Sequence, residues 1–106
     1  MRLDNPALLD EFRGPGPCHG CGKQCRHREA AHVLAKGMGG GGRLDHRWNL
    51  LALGGPFECG CHRRQHNGLI SIHALWDAVA KREGVSVDEI KQELFRIRRL
   101  PKGSAV

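Results

Sequence analysis

Apolar residues recur at helical spacing along the last third of the chain. Two stripes show this spacing: Ile72, Leu75, Trp76 and Val79 in the first, and Val87, Ile90, Leu94 and Ile97 in the second. Gly84 lies between them, and Ser86 and Glu89 have the spacing of a capping box at the start of the second stripe. The pattern predicts two amphipathic helices whose apolar faces form part of the core.

Shorter apolar segments, separated by glycine and proline, fill the rest of the chain. Asn5 followed by Pro6 is typical of a helix N-terminus, and the Gly-Pro-Gly-Pro segment at 14–17 predicts the end of that helix. The apolar face of this short helix consists of Leu8, Leu9 and Phe12.

Two strands and one more helix are predicted between these terminal parts. Residues 29–34 and 48–53 have the length and the apolar content of strands. Residues 36–42 are too rich in glycine for a regular element. A helix is expected to carry His62 and His66, and the Asn-Gly pair at 67–68 predicts its end.

Composition limits how such a chain is stabilised. With 106 residues, 15 of them glycine, it is expected to form one domain near the lower size limit for an ordinary core. The five cysteines are an odd number, residues 1–12 lack the apolar core of a signal peptide, and no segment approaches the length of a membrane span. We therefore expect zinc rather than disulfides, and a reducing cytoplasm rather than a membrane.

The net charge of +6 is concentrated in one part of the sequence. Residues 13–64 contain nine Lys and Arg against three Asp and Glu, whereas the residues from 68 onward are nearly balanced. A basic segment of this kind is typical of proteins that bind a polyanion. The alternative is that the charge serves solubility alone.

Two cysteine pairs predict a structural zinc site. Cys18 and Cys21 are separated by two residues, and Cys59 and Cys61 by one. Four thiolates in tetrahedral geometry are a common closed zinc site. Rival ligands are Cys25, His19 and His27, and the alternative to a metal site is a set of free thiols in the core.

His62 and His66 are four residues apart, so on a helix their side chains share one face. Such a pair is suited to a divalent cation. The alternative is a solvated basic helix face, because Arg63 and Arg64 lie between the two histidines.

Five pieces of the segment 18–68 occur in the order found in HNH endonucleases, the ββα-metal family. They are the Cys18–Cys21 pair, the Glu-Ala-Ala-His sequence ending at His32, the glycine-rich segment, Asn49 with the apolar residues after it, and the sequence from Cys61 through His62 and His66 to Gly68. The segment resembles the short stand-alone HNH proteins of phages and bacteria. The resemblance covers about half of the chain.

The resemblance implies roles for individual residues. His32 is expected to be the general base, and Asn49 to brace the loop that orients it. His62 and His66 are expected to bind a catalytic Mg²⁺, Mn²⁺ or other divalent ion. The family usually has an Asp or His metal ligand directly before the base, where this chain has Ala31. Glu29, on the same strand face as Ala31, is expected to serve as the metal ligand instead.

The predicted fold is therefore small α+β: a ββα-metal core with a structural zinc knuckle and additional helices at both ends. Its parts are a helix and linker (1–17), the knuckle with the HNH core (18–68) and C-terminal helices (69–106). The predicted function is metal-dependent DNA cleavage in the cytoplasm of a bacterium or a phage-infected cell, without a small-molecule cofactor. DNA phosphates are expected to contact Arg43, Arg63 and Arg64. Alternatives are a non-catalytic, zinc-stabilised DNA-binding module and, less well suited to the basic charge, a zinc-ribbon protein that binds other proteins.

Overall fold

The computed structural model describes residues 3–34 and 43–101. Within these residues it has an α+β fold with one three-stranded antiparallel sheet, in the order β1-β2-β3, and four α-helices. In chain order the elements are α1 (Pro6–Glu11), β1 (Gly14–Pro17), β2 (Gln24–His32), a 3-10 turn (Arg47–Asn49), β3 (Leu50–Gly54), α2 (Cys61–His66), α3 (Ile72–Glu83) and α4 (Val87–Arg98). No helix in the described residues combines the length and the apolar character that crossing a membrane requires.

The two faces of the sheet are set by alternation along β3. Leu51 and Leu53 belong to one core cluster, whereas Leu50 and Ala52 belong to another. The larger cluster also contains Leu75, Trp76 and Val79 of α3 and Ile90, Leu94 and Ile97 of α4. The smaller one contains Leu9 of α1 and Phe12, the residue directly after that helix. One face of the sheet thus packs against the larger cluster, to which α3 and α4 contribute, and the other face packs against α1.

The register of β2 against β3 places the residues of the predicted site on opposite faces. Glu29 pairs with Leu53, and His32 pairs with Leu50. Directly paired residues point to the same face of a sheet, and successive residues alternate. Glu29 therefore lies on the face of the larger core cluster, and His32 on the face of α1.

Helix boundaries follow the predicted caps. The Asn5 side chain accepts a hydrogen bond from Leu8 N (3.1 Å), and the Ser86 hydroxyl accepts one from Glu89 N (3.1 Å). Gly84 ends α3 in the left-handed region, with φ +69°. Ser71, which sequence analysis did not single out, caps α3 by accepting from Ala74 N (3.1 Å).

Three predictions about elements are corrected, and a fourth falls on residues that the structure does not describe. The first strand runs over Gln24–His32 rather than 29–34, because its N-terminal half pairs with the segment 14–17, which is strand β1 and not merely a helix end. The segment 48–53 begins in the 3-10 turn, so β3 starts only at Leu50. Ile72 is 37% exposed and does not belong to the buried core. The glycine-rich segment 36–42 lies outside the described residues.

Candidate functional site

Four cysteines from two distant parts of the chain converge on one point. The Sγ atoms of Cys18, Cys21, Cys59 and Cys61 all lie within 4.8 Å of one another. Cys18 directly follows β1, and a turn closed by the hydrogen bonds Cys18 N to Lys23 O (2.9 Å) and Gly22 N to Cys18 O (2.8 Å) places Cys21 beside it. Cys61 is the first residue of α2, and Cys59 lies two positions before it.

Glycine is needed at two positions for the second pair to reach the first. Gly60 lies between Cys59 and Cys61 with φ +74°, a left-handed conformation that folds this close pair toward one point. At Gly54 in β3, a Cβ would clash with the Sγ atom of Cys59. The approach of the Cys59 sulfur to the sheet therefore excludes any side chain at position 54.

The electrostatics of the cluster suit a bound cation. Cys18 Sγ accepts hydrogen bonds from Gly20 N (3.3 Å) and Gly54 N (3.5 Å). Burial acts to raise the pKa of Cys59, but hydrogen bonds from Cys61 N and from the neighbouring thiols lower it to about 6. Burial and the neighbouring sulfurs raise the pKa of Cys61. The four sulfur atoms could hold a metal ion, and a closed set of four sulfurs is compatible with structural zinc.

The rival ligands lie outside this group. Cys25 is buried, its Sγ donates to Lys23 O (3.4 Å), and burial raises the pKa of its thiol. His19 Nδ1 accepts a hydrogen bond from Ala52 N (3.0 Å), and burial, together with Arg82 and Arg28, lowers the pKa of His19 to about 4. His27 is exposed on β2. The prediction that Cys18, Cys21, Cys59 and Cys61 form one metal-capable set is confirmed.

A second group of polar residues lines an open cavity of about 390 Å³ between β2 and α2. Its walls are Glu29, Pro56, His62, Arg63 and His66. Glu29 Oε1 lies 2.9 Å from His62 Nδ1, and both side chains are partly exposed to solvent. The helix predicted to carry the two histidines is confirmed, since α2 spans Cys61–His66.

The potential metal ligands of the cavity lie farther apart than the sulfur atoms of the cysteine cluster. Among the residues described, the four cysteines are the one group of three or more His, Cys, Asp or Glu whose ligand atoms all approach within 4.8 Å. Glu29, His62 and His66 share the cavity without reaching that mutual distance. Ala31, directly before His32, is buried in the larger core cluster.

His32 does not line this cavity, and its ring makes a different contact. Its Nε2 atom lies 2.7 Å from Asp45 Oδ1. His32 contacts α2 through its backbone rather than its ring: Gln65 Nε2 donates to the carbonyl oxygen of His32 (3.3 Å). Asp45 was missed by sequence reasoning, since an acidic residue in a basic, polar segment gives no signal of burial.

Asn49 is fully buried and holds two chain segments with its side chain. Its Oδ1 atom accepts from Leu34 N (2.7 Å), and its Nδ2 atom donates to Leu34 O (3.2 Å) and Leu44 O (2.9 Å). Leu34 follows β2, and Leu44 precedes the 3-10 turn. These contacts are those expected of a brace between the two segments.

The three arginines predicted to contact DNA differ in their surroundings. Arg63 and Arg64 are exposed on α2, and Arg63 also lines the cavity. Arg43 is partly buried, and its Nε atom donates to Asp45 Oδ1 (2.8 Å). Its guanidinium charge is therefore already balanced within the protein.

Comparison of the chain with models of protein families, with curated proteins and with solved structures finds no match.

Proposed function

We propose that this protein is a metal-dependent DNA endonuclease of the HNH type, with a ββα-metal core. The observation that carries the proposal is the open cavity in which β2 and α2 present Glu29, His62 and His66 together with Arg63. Strands β2 and β3 and helix α2 follow one another along the chain in the order that the name of that core describes. The resemblance of the segment 18–68 to HNH proteins supports the same reading.

The donor set of the cavity suits a divalent cation. Imidazole nitrogens and a carboxylate oxygen are ligands for Mn²⁺ and Zn²⁺, and carboxylate and water suit Mg²⁺. His62 and His66, one turn apart on α2, are the groups that would hold it, and the Glu29 carboxylate lies against Nδ1 of the His62 ring. When bound, such an ion stabilises negative charge on the scissile phosphate and on the leaving oxygen.

His32 is the proposed general base. A neutral imidazole can accept a proton from water near neutral pH. In the proposed reaction, the water oxygen forms a bond to phosphorus while its proton passes to His32. The bond between phosphorus and the leaving sugar oxygen breaks with its electron pair, and solvent protonates that oxygen. Asn49 supports this step by holding Leu34, two residues after His32, together with Leu44, before the 3-10 turn.

Substrate binding is assigned to the basic surface of α2. Arg63 and Arg64 are exposed and adjacent to the cavity histidines, so they can contact the phosphates on either side of the cleavage position. Arg43 is a weaker candidate for this contact because Asp45 already pairs with it. The four thiols need a reducing compartment, so we place the protein in the cytoplasm of a bacterium or a phage-infected cell.

One observation favours a second function. Glu29, His62 and His66 do not converge as closely as the four cysteines, Ala31 supplies no ligand, and His32 lies on the sheet face opposite to Glu29. A non-catalytic, zinc-stabilised DNA-binding module would have these same features. The two functions therefore differ in whether the protein cleaves the DNA that it binds.

Incubation of zinc-loaded protein with supercoiled plasmid tests the proposal. Conversion to nicked or linear DNA on addition of Mg²⁺ or Mn²⁺, and no conversion without it, is the expected result. Retarded migration of plasmid that stays intact with every divalent ion would favour the binding module. Intact plasmid with no retardation would exclude both.

A further inference from the structure

Asp45 is a buried carboxylate at the junction of three chain segments. Its side chain is 1% exposed. Its Oδ2 atom accepts from Asn5 N (2.8 Å), at the start of α1, and its Oδ1 atom accepts from Arg43 Nε (2.8 Å) and faces His32 Nε2 at 2.7 Å. A buried charge is tolerated only when such partners satisfy it.

These partners keep the carboxylate ionised. Burial acts to raise the pKa of Asp45, but hydrogen bonds from Arg43, from Asn5 N and from His32 hold that pKa below its usual value. An ionised carboxylate can only accept hydrogen bonds. The short contact with His32 therefore requires the proton to be on Nε2 of the imidazole.

The state of one ring nitrogen determines the state of the other. In a neutral imidazole, one nitrogen carries the proton and the other has a free lone pair. With Nε2 donating to Asp45, the lone pair of His32 is on Nδ1. The hydrogen bond also fixes the rotation of the ring, because the acceptor is buried and is itself held by two further donors.

We propose that Asp45 is the positioning residue that fixes His32 as the Nε2–H tautomer, so that Nδ1 is the nitrogen that takes the proton from water. The second clause rests on the proposed nuclease function, whereas the first does not. Arg43 and Asn5 act through Asp45 by holding it in place.

A purely structural role is the competing explanation. Asp45 also ties the start of α1 to the segment before the 3-10 turn, so its loss is expected to lower stability in either case. A structural role alone does not fix a tautomer. It also does not predict a loss of turnover without a loss of substrate binding.

The test uses the zinc-loaded full chain labelled with ¹⁵N-histidine. Long-range ¹H–¹⁵N spectra, recorded where neutral imidazole predominates, distinguish a protonated ring nitrogen from an unprotonated one. We expect His32 to show a protonated Nε2 and an unprotonated Nδ1. In Asp45→Ala, which leaves no side-chain acceptor, we expect both nitrogens of His32 to show averaged signals like those of exposed His27, which serves as the internal reference. A protonated Nδ1 in the parent protein, or an unchanged His32 spectrum in folded Asp45→Ala, would overturn the proposal.

Cleavage kinetics form the second arm. We expect Asp45→Asn to lower kcat by between about 10-fold and about 10⁴-fold with KM nearly unchanged, the upper value being the loss seen when the buried aspartate of a serine-protease triad is neutralised. If the parent cleaves DNA and Asp45→Asn cleaves equally fast, the positioning role is overturned and the nuclease function stands. If the parent does not cleave, the nuclease function and the Nδ1 clause fall, and the spectra alone decide whether Asp45 fixes the tautomer.

Discussion

The carboxylate of Glu29 and the imidazole of His62 meet in the cavity, with Oε1 2.9 Å from Nδ1, although 33 positions separate them in the sequence. This contact uses Nδ1 of His62 and leaves Nε2 for a cation. A carboxylate behind a ligating histidine fixes the ring and increases its basicity.

We therefore expect Glu29 to act mainly by orienting His62, and a pair of variants tests this. Glu29→Gln keeps an oxygen that can accept from Nδ1 and should retain Mn²⁺ binding to within a few-fold, whereas Glu29→Ala should weaken it by about 10- to 100-fold. Titration calorimetry on zinc-loaded protein measures both. If Glu29→Gln loses as much affinity as Glu29→Ala, the carboxylate is itself a ligand, as the sequence analysis expected.

The zinc site gives a second prediction, with Cys25 as the matched control. Cys61→Ser should lose zinc and most of the structure, because a structural zinc site supplies about 10–16 kcal/mol of apparent binding free energy. Cys25→Ser removes an equally buried thiol but should keep about one zinc per chain. Metal analysis and circular dichroism measure the two effects. Loss of zinc from Cys25→Ser together with its retention in Cys59→Ser would show that the ligand set is wrong.

DNA binding should depend steeply on salt. This expectation rests on the excess of basic residues in 13–64 and on the exposure of Arg63 and Arg64. Changing both arginines to Glu should weaken binding and reduce the slope of log K against log salt by about two, since each lost phosphate contact removes roughly one unit.

The control for this experiment makes the same change of charge elsewhere. Lys81 and Lys91 lie on α3 and α4, and changing both to Glu should alter the slope much less. Fluorescence anisotropy with labelled duplex DNA at several salt concentrations gives the slopes. A parent affinity that does not change with salt, or equal losses in the two double variants, would contradict the assignment of the DNA surface to α2.

The free energy of unfolding should decrease as the pH is lowered, because of His46. Its Nδ1 atom accepts from Trp48 N (2.9 Å), and burial, partly opposed by Glu93 and Glu83, lowers the pKa of His46 from 6.5. The unfolded state therefore binds a proton at higher pH than the folded state does. This contribution to stability is complete above about pH 6.5 and is lost as the pH falls through the lower, folded-state pKa.

His46→Asn isolates this effect. An Asn side chain can accept from the same backbone N–H but does not titrate, so the variant should lose less stability than the parent between about pH 7.5 and about pH 5.5. Urea unfolding at fixed zinc loading measures the difference. Parallel losses in both proteins would assign the pH dependence to other groups.

The sequence predicts the features of this fold that depend on local chemistry. The caps at Asn5, Ser86 and Gly84 were recognisable because each needs only a short motif. The convergence of the four cysteines was recognisable because few other arrangements explain two close pairs. Strand β1 was missed because Gly14–Pro17 reads as a chain break, and it becomes a strand only through pairing with β2.

The buried polar contacts of the site could not be predicted from the sequence. Asp45 becomes important only because the fold brings Asn5 and His32 to it from positions 40 and 13 residues away. The alternation of β2 did predict that Glu29 shares a face with Ala31. Glu29 contacts Nδ1 of His62 because of the position in which α2 packs against the sheet. That position is a tertiary property and cannot be predicted from the pattern of β2.

The central claim is that His32 acts as the base in DNA hydrolysis, and single-turnover cleavage by His32→Ala tests it most directly. With zinc content, fold and DNA binding unchanged, the variant should cleave about 10²- to 10⁴-fold more slowly than the parent, the usual cost of losing a general base. His27→Ala, which removes an exposed histidine from the same strand, should cleave at the parent rate. The account would be contradicted if His32→Ala cleaved as fast as the parent, or if the parent failed to cleave with every divalent ion tested.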